Sequence, residues 1–339
     1  MFRCLLGIAV RLGGVCLALG FIAYAVVIER AESAQYDPIE PRSGPSVDEC
    51  RLPIYDLEWS PGGARLLAVH KSSDGRGNAL LFDLSTQMYD GSVLPLSVTV
   101  RRAVFDRDSD AVLAGTDSGD VWRVDAAEET ATKIAELAAA TGGFSSMRAV
   151  SGGMVLATLN DVRLVDSAGQ IRWVLPEVDS VRHIAVSSDG SQLIMPLAFG
   201  KTIVVSTTTG RVERTLPGAG LACPAVFRDG RGVVICDARG KISLWDLKTG
   251  EERWQIQHDC PLVASLTATA ERRIVVGDWM GMLVQLDAEG REVRRTQAHR
   301  GAVSTLGVST DGRTLASGGH DGKIFLWNPD TLEQIDQIH

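Results

Sequence analysis

Six cysteines and six histidines are the residues in this 339-residue chain best suited to metal ligation or nucleophilic chemistry. Cys4 and Cys16 lie near the N-terminus, and Cys50, Cys223, Cys236 and Cys260 in the body, with no Cys-x-x-Cys pair and no His-Cys cluster. That spacing argues against a structural zinc. The histidines are scattered, with neither H-E-x-x-H nor a G-x-S-x-G elbow, and the chain has no phosphate-binding loop or dinucleotide fingerprint. "DRDSD" (Asp106–Asp110) has the look of a calcium loop, with Asp117 at its twelfth position. Ala111 stands where the loop needs glycine and an apolar run follows, so a solvated hairpin turn is expected. No catalytic residue, cofactor or metal ligand is therefore expected. Cys223 and Cys236 do have a suggestive spacing, because they lie equally far from the Asp-Gly turn of "RDGR" and would face each other across a hairpin. A disulfide is chemically permitted there if the body is exported. Two buried thiols are the favoured reading, because directly opposed strand positions seldom give relaxed disulfide geometry.

The elements that position these residues are read from composition and pattern. The chain is 45% hydrophobic and 22% charged, ordinary for a globular protein with a sizeable core. Its net charge is −8, and the short basic runs at 100–102, 271–273 and 291–295 are interleaved with acids, which argues against a nucleic-acid partner. An uninterrupted apolar run from Leu12 to Ile28 spans about 26 Å as a helix, close to a thin hydrocarbon core. Residues 1–30 thus read as a membrane anchor or signal segment, and 31–51, with three prolines in "YDPIEPRSGPSV", as a linker. Arg3 and Arg11 precede the run, whereas Arg30 is flanked by Glu29 and Glu32, so the N-terminus is expected in the cytoplasm and the body across the membrane. Ala31 and Ser33 offer a cleavage site, and export after cleavage is the alternative.

Residues 52–339 repeat. Phe82, Val124, Val165, Val205, Trp245, Leu286 and Trp327 close alternating apolar runs at intervals of 40 to 42 residues, all followed by Asp, Ser or Asn in the pattern "SLWD" or "FLWN" and preceded five positions earlier by Gly in six cases and Asn in one. Upstream of each run lie two more around tight turns such as "VSTDGRTLAS", and downstream a polar-edged run such as "EERWQIQ" or "LEQIDQI". Each unit is then a four-stranded antiparallel sheet that cannot bury both faces alone. Seven such sheets stacked radially make an all-β, seven-bladed propeller. Only "AAEETATKIAELAAA" (Ala126–Ala140) has helical character, and it coincides with an outer strand.

The seventh unit, "AHRGAVSTLGVSTDGRTLASGGHDGKIFLWN", resembles a WD-repeat blade, and "AVFRDGRGVVICDARGKISLWD" follows it. The resemblance covers about Leu52 to His339. It implies a hydrogen-bonded structural tetrad at His299, Ser317, Asp321 and Trp327, which would satisfy buried polar groups. Other units depart from it: the fifth has Ile235 and Arg239 at the Ser and Asp positions, and the sixth keeps His258 but has Met280 and Leu286. "LWDLKTGEERWQI" and "LVDSAGQIRWVL" also resemble quinoprotein-type repeats, in which the Trp (Trp173, Trp254) docks one blade on the next. The outer strand of the last sheet is expected either from "LEQIDQI" or from Val47–Leu52. The WD-repeat resemblance implies a non-catalytic scaffold with unknown protein partners, anchored at the membrane through the N-terminal helix, with no small-molecule substrate. The quinoprotein-like resemblance implies an exported assembly scaffold or an oxidoreductase.

Overall fold

A computed structural model describes residues 52–71, 77–85, 92–137, 144–158, 160–178, 181–197, 200–217, 223–237, 239–260, 263–269 and 271–338. The segments expected to be a membrane anchor or signal, 1–30, and a linker, 31–51, lie outside the described residues. Among those described, no helix is long and apolar enough to cross a membrane.

The strands form seven four-stranded antiparallel sheets, each from one contiguous stretch: Ile54–Val93, Val100–Glu136, Ser146–Pro176, Ala185–Pro217, Cys223–Gln257, Val263–Gln297 and Val303–Ile338. They are blades one to seven. The inner strand of each blade touches the inner strands of the blades on either side, and blade seven touches blade one, so the ring is closed. The outer place in blade seven belongs to Gln334–Ile338, which selects the C-terminal option for completing that sheet. The one helix-like stretch of the body, Ala126–Ala140, is instead strand over Thr130–Glu136, where the polar residues sit on the exposed outer edge.

Burial follows position in the blade. Second strands such as Gly232–Cys236 and Ile274–Asp278 are buried on both faces, because each face meets a neighbouring blade, and they read as unbroken runs of small and β-branched residues. Outer strands such as Glu252–Gln257 are mostly exposed. The core is correspondingly divided into seven apolar clusters among the described residues, one at each junction between blades. All seven repeat-marking residues, Phe82 through Trp327, are buried in third strands.

The junction between blades seven and one contains no shared strand. Ile54, Leu57 and Trp59 pack against Ala316, Ile324, Leu326 and Ile338, the Trp59 indole N–H donates to the Gly307 carbonyl at 3.0 Å, and the Ser304 hydroxyl donates to the Ile54 carbonyl.

Candidate functional site

In blade seven His299, Ser317, Asp321 and Trp327 form one connected network. His299 Nδ1 is 2.8 Å from Asp321 Oδ1, its Nε2 is 2.8 Å from Ser317 Oγ, and Trp327 Nε1 is 2.9 Å from the same Oγ. An indole N–H only donates and a carboxylate only accepts, so Ser317 accepts from Trp327 and donates to Nε2, while Nδ1–H points at Asp321. Asp321 also accepts from the backbone N–H groups of Arg300 and Lys323. Burial raises the Asp321 pKa, but the bonds from His299 and Arg300 N prevail and hold the carboxyl below its ordinary range. Every member is occupied by another, which suits a brace rather than an acid or base.

Other blades meet the same need differently. In blade five the Trp245 indole donates to Ser243, 3.0 Å away in its own strand, which replaces the serine missing at Ile235. In blade six His258 Nε2 stands 3.5 Å from Asp278, two residues before Met280, and Asp278 also accepts from the N–H groups of Met280 and Met282. In blade five the polar group has moved to the facing strand, where Ser243 pairs with Ile235, whereas in blade six the His258–Asp278 approach leaves His258 Nε2 without a hydrogen bond among the described residues.

Cys223 and Cys236 are direct cross-strand partners, and both are buried free thiols. Cys223 leans to the Ala264 carbonyl in the next blade, and burial pushes its thiol up to about 12, with Cys236 raised further. Thiols so disfavoured as thiolates are poor nucleophiles and poor ligands. In "DRDSD" the carboxylates diverge: Asp106 takes Arg123 at 2.7 Å, Asp108 accepts from Gly152 N, and Asp110 pairs with Arg65. Among the described residues no cluster of three His, Cys, Asp or Glu side chains could hold a metal.

A recurring latch joins consecutive blades. The third residue of the outer strand in blades three to six is Trp173, Arg214, Trp254 and Arg294. Each donates to a backbone carbonyl in the following blade's turn: Thr207, Lys248 and Thr249, Ala288, and Thr331. Gly210, Gly250 and Gly290 seat the first three; a Cβ on Gly210 would fall 2.6 Å from the Trp173 ring. The tryptophans dock blades as in the quinoprotein-like pattern, but arginines perform the same task, so the latch belongs to this ring generally.

Two features remain that the braces and latches do not account for. Inside, the inner strands line a central cavity of about 80 Å³ that collects Arg102, Arg148, Arg182, His183 and Asp56. At one mouth of the ring, the His320 ring lies 6.0 Å from Tyr55 and 5.6 Å from Trp279, with Met280 beside them 69% exposed. The remaining exposed large apolar side chains, such as Ile171 and Val212, stand on outer strands. The aromatic cluster brings together the inner strand of blade one and turns of blades six and seven, and no sequence motif announced it. Its one advance signal was a pair of large apolar residues, Trp279 and Met280, in a tight turn.

The family described as "WD domain, G-beta repeat" matches residues 290–328, a span that contains all four members of the blade-seven network. The chain is a WD-repeat β-propeller. This WD-repeat propeller is similar to "WD repeat-containing protein 18" of Rattus norvegicus, 30% identical over 190 residues, which are 48% of the chain and 44% of the relative. It is similar to the Homo sapiens protein of that name, 30% identical over 110 residues, 29% of the chain and 26% of the relative. A match to "Telomerase protein component 1" of Rattus norvegicus is 29% identical over 89 residues, 26% of the chain and 3% of that protein. The matched stretch spans less than half the length of these curated relatives.

Proposed function

We propose that this propeller is a non-catalytic scaffold whose protein partner seats on the ring face carrying Tyr55, Trp279, Met280 and His320. The observation that carries the reading is Met280, a large apolar side chain 69% exposed on a braced turn beside an aromatic cluster. Aromatic and methionine side chains on a rigid frame are the composition of interface centres, and here Trp279, Met280 and His320 stand on turns while Tyr55 belongs to the inner strand of blade one. We further propose that the apolar run Leu12–Ile28 anchors the chain with the propeller on the far side of the membrane from the N-terminus.

A photo-crosslinking residue at position 280 of the full chain in its native membrane is expected to capture a discrete partner, and one at Ile171 on the outer rim is not. Capture from both positions, or from neither, refutes the assignment of the face. A topology reporter after His339, with N-terminal sequencing of the mature protein, tests orientation and retention of the anchor. A reporter active on the cytoplasmic side refutes the proposed topology.

A further inference from the structure

The central cavity holds an arrangement that a brace or a protein-docking face does not require. Arg102, Arg148 and Arg182 come from blades two, three and the approach to blade four, and all line the same cavity of about 80 Å³. One carboxylate, Asp56, lines it with them, 3.8 Å from Arg148. Two of the guanidiniums are oriented by backbone. Arg102 donates through Nε and Nη2 to the Ser145 carbonyl, at 3.1 and 2.9 Å, and through Nη1 to the Arg101 carbonyl. Arg148 donates through Nη1 to the Met147 carbonyl at 2.8 Å. A guanidinium carries five N–H donors, so both retain donors beyond these bonds. Ser146 adds a hydroxyl to the lining, while the Ser304 hydroxyl there is already committed to backbone carbonyls.

His183 reports the field in this space. It lines the cavity and makes no hydrogen bond with any other described residue. Burial, and then the charges of Arg102, Arg148 and Arg182, depress its pKa to about 3, so the imidazole is neutral at neutral pH. A partly enclosed pocket that gathers three guanidiniums against one carboxylate, and that presents oriented N–H groups, is a receptor for negative charge. The volume has room for a few waters or one compact oxyanion.

We propose that the central cavity binds a tetrahedral oxyanion, held by Arg102, Arg148 and Arg182 with His183 alongside. The oxyanion is either free or the terminal group of a small phosphorylated molecule.

The test is calorimetric titration of the full chain in detergent with sodium sulfate, inorganic phosphate and phenyl phosphate, each against sodium chloride at matched ionic strength. Saturable one-to-one binding of sulfate and phosphate is expected. Phenyl phosphate distinguishes the sources: binding shows that the mouth admits a carried group, and failure to bind restricts the site to the free ion. R102Q is expected to weaken sulfate binding roughly tenfold, the loss of one charge-assisted contact. R253Q, which removes an exposed outer-strand arginine, is expected to leave it unchanged. The native protein gives a second readout, since a bound anion favours the imidazolium and is expected to raise the His183 titration from about 3, followed by NMR. No saturable heat with either inorganic ion overturns the proposal, as do equal losses in R102Q and R253Q or a His183 titration unmoved by saturating sulfate.

Discussion

Replacing Glu58 by glutamine should stabilise the ring, and only at high pH. Glu58 lies on the inner strand of blade one. Burial is the largest influence on it and pushes its carboxyl from 4.5 up to about 7, with nearby Asp56 adding to the rise and Arg148 and Arg107 opposing it. In the unfolded chain the same group ionises near 4.5. Between these values the folded protein binds more protons than the unfolded one, so stability falls as pH rises through the window and the loss is complete above 7. Moving a carboxyl from 4.5 to about 7 corresponds to about 3 kcal/mol. Glutamine stays neutral throughout, so E58Q should gain about 3 kcal/mol at pH 8 and almost nothing below pH 4.5. For a domain of this size that is a rise in Tm of about 6 °C at pH 8. Scanning calorimetry of the full chain and E58Q, in chloride buffers at pH 8 and pH 4.5, reads the difference directly. His183 runs the other way, losing stability as pH falls from 6.5 toward its folded value of about 3, but it is present in both proteins and cancels. An E58Q shift that is equal at the two pH values, or negative at pH 8, refutes the reasoning.

Three further outcomes follow from the same structure. Ser317→Ala removes the shared partner of His299 Nε2 and Trp327 Nε1, both in the buried network, and should cost about 3 kcal/mol in urea unfolding. Trp254→Ala removes a blade-to-blade latch and its packing over Gly290, for a loss of about 2 kcal/mol, whereas Arg294→Ala at the equivalent latch should cost about 1 kcal/mol because that side chain is exposed. Cys223 and Cys236 should resist iodoacetamide at pH 8 in the folded chain and react only after denaturation, which peptide mass mapping would show.

The propeller was legible in the sequence because burial in each third strand demands an apolar residue once per blade, and the hairpins carry Asp-Gly turns at fixed offsets. The blade-seven network was legible because all four of its residues lie within one repeat. Features that depend on ring closure were not. Arg102, Arg148 and Arg182 are separated by intervals unlike the repeat period, because a register shift in the inner strand of blade two and unequal connections move the inward-facing position. Each reads alone as a surface charge, and only the closed ring makes them neighbours. Arg214 and Arg294 were missed as latches because the pattern at Trp173 and Trp254 looked like a requirement for an indole. The task requires only a long side chain with an N–H. Ser243 was missed for a related reason, since a polar atom can satisfy the buried Trp245 indole from the strand facing the motif position as well as from the motif position itself.

Because every sheet is contiguous in sequence, the ring behaves mechanically like a split washer. Tension between its ends would enter at the inner strand of blade one and the outer strand of blade seven, loading the joint where Trp59 and Ser304 make isolated hydrogen bonds across an apolar contact together with the ladders that hold Ile54–Trp59 and Gln334–Ile338. Blades two to six carry no terminal edge strand under that pull, so they keep their register, and on release only the joint, the first strand of blade one and the last strand of blade seven have to re-form.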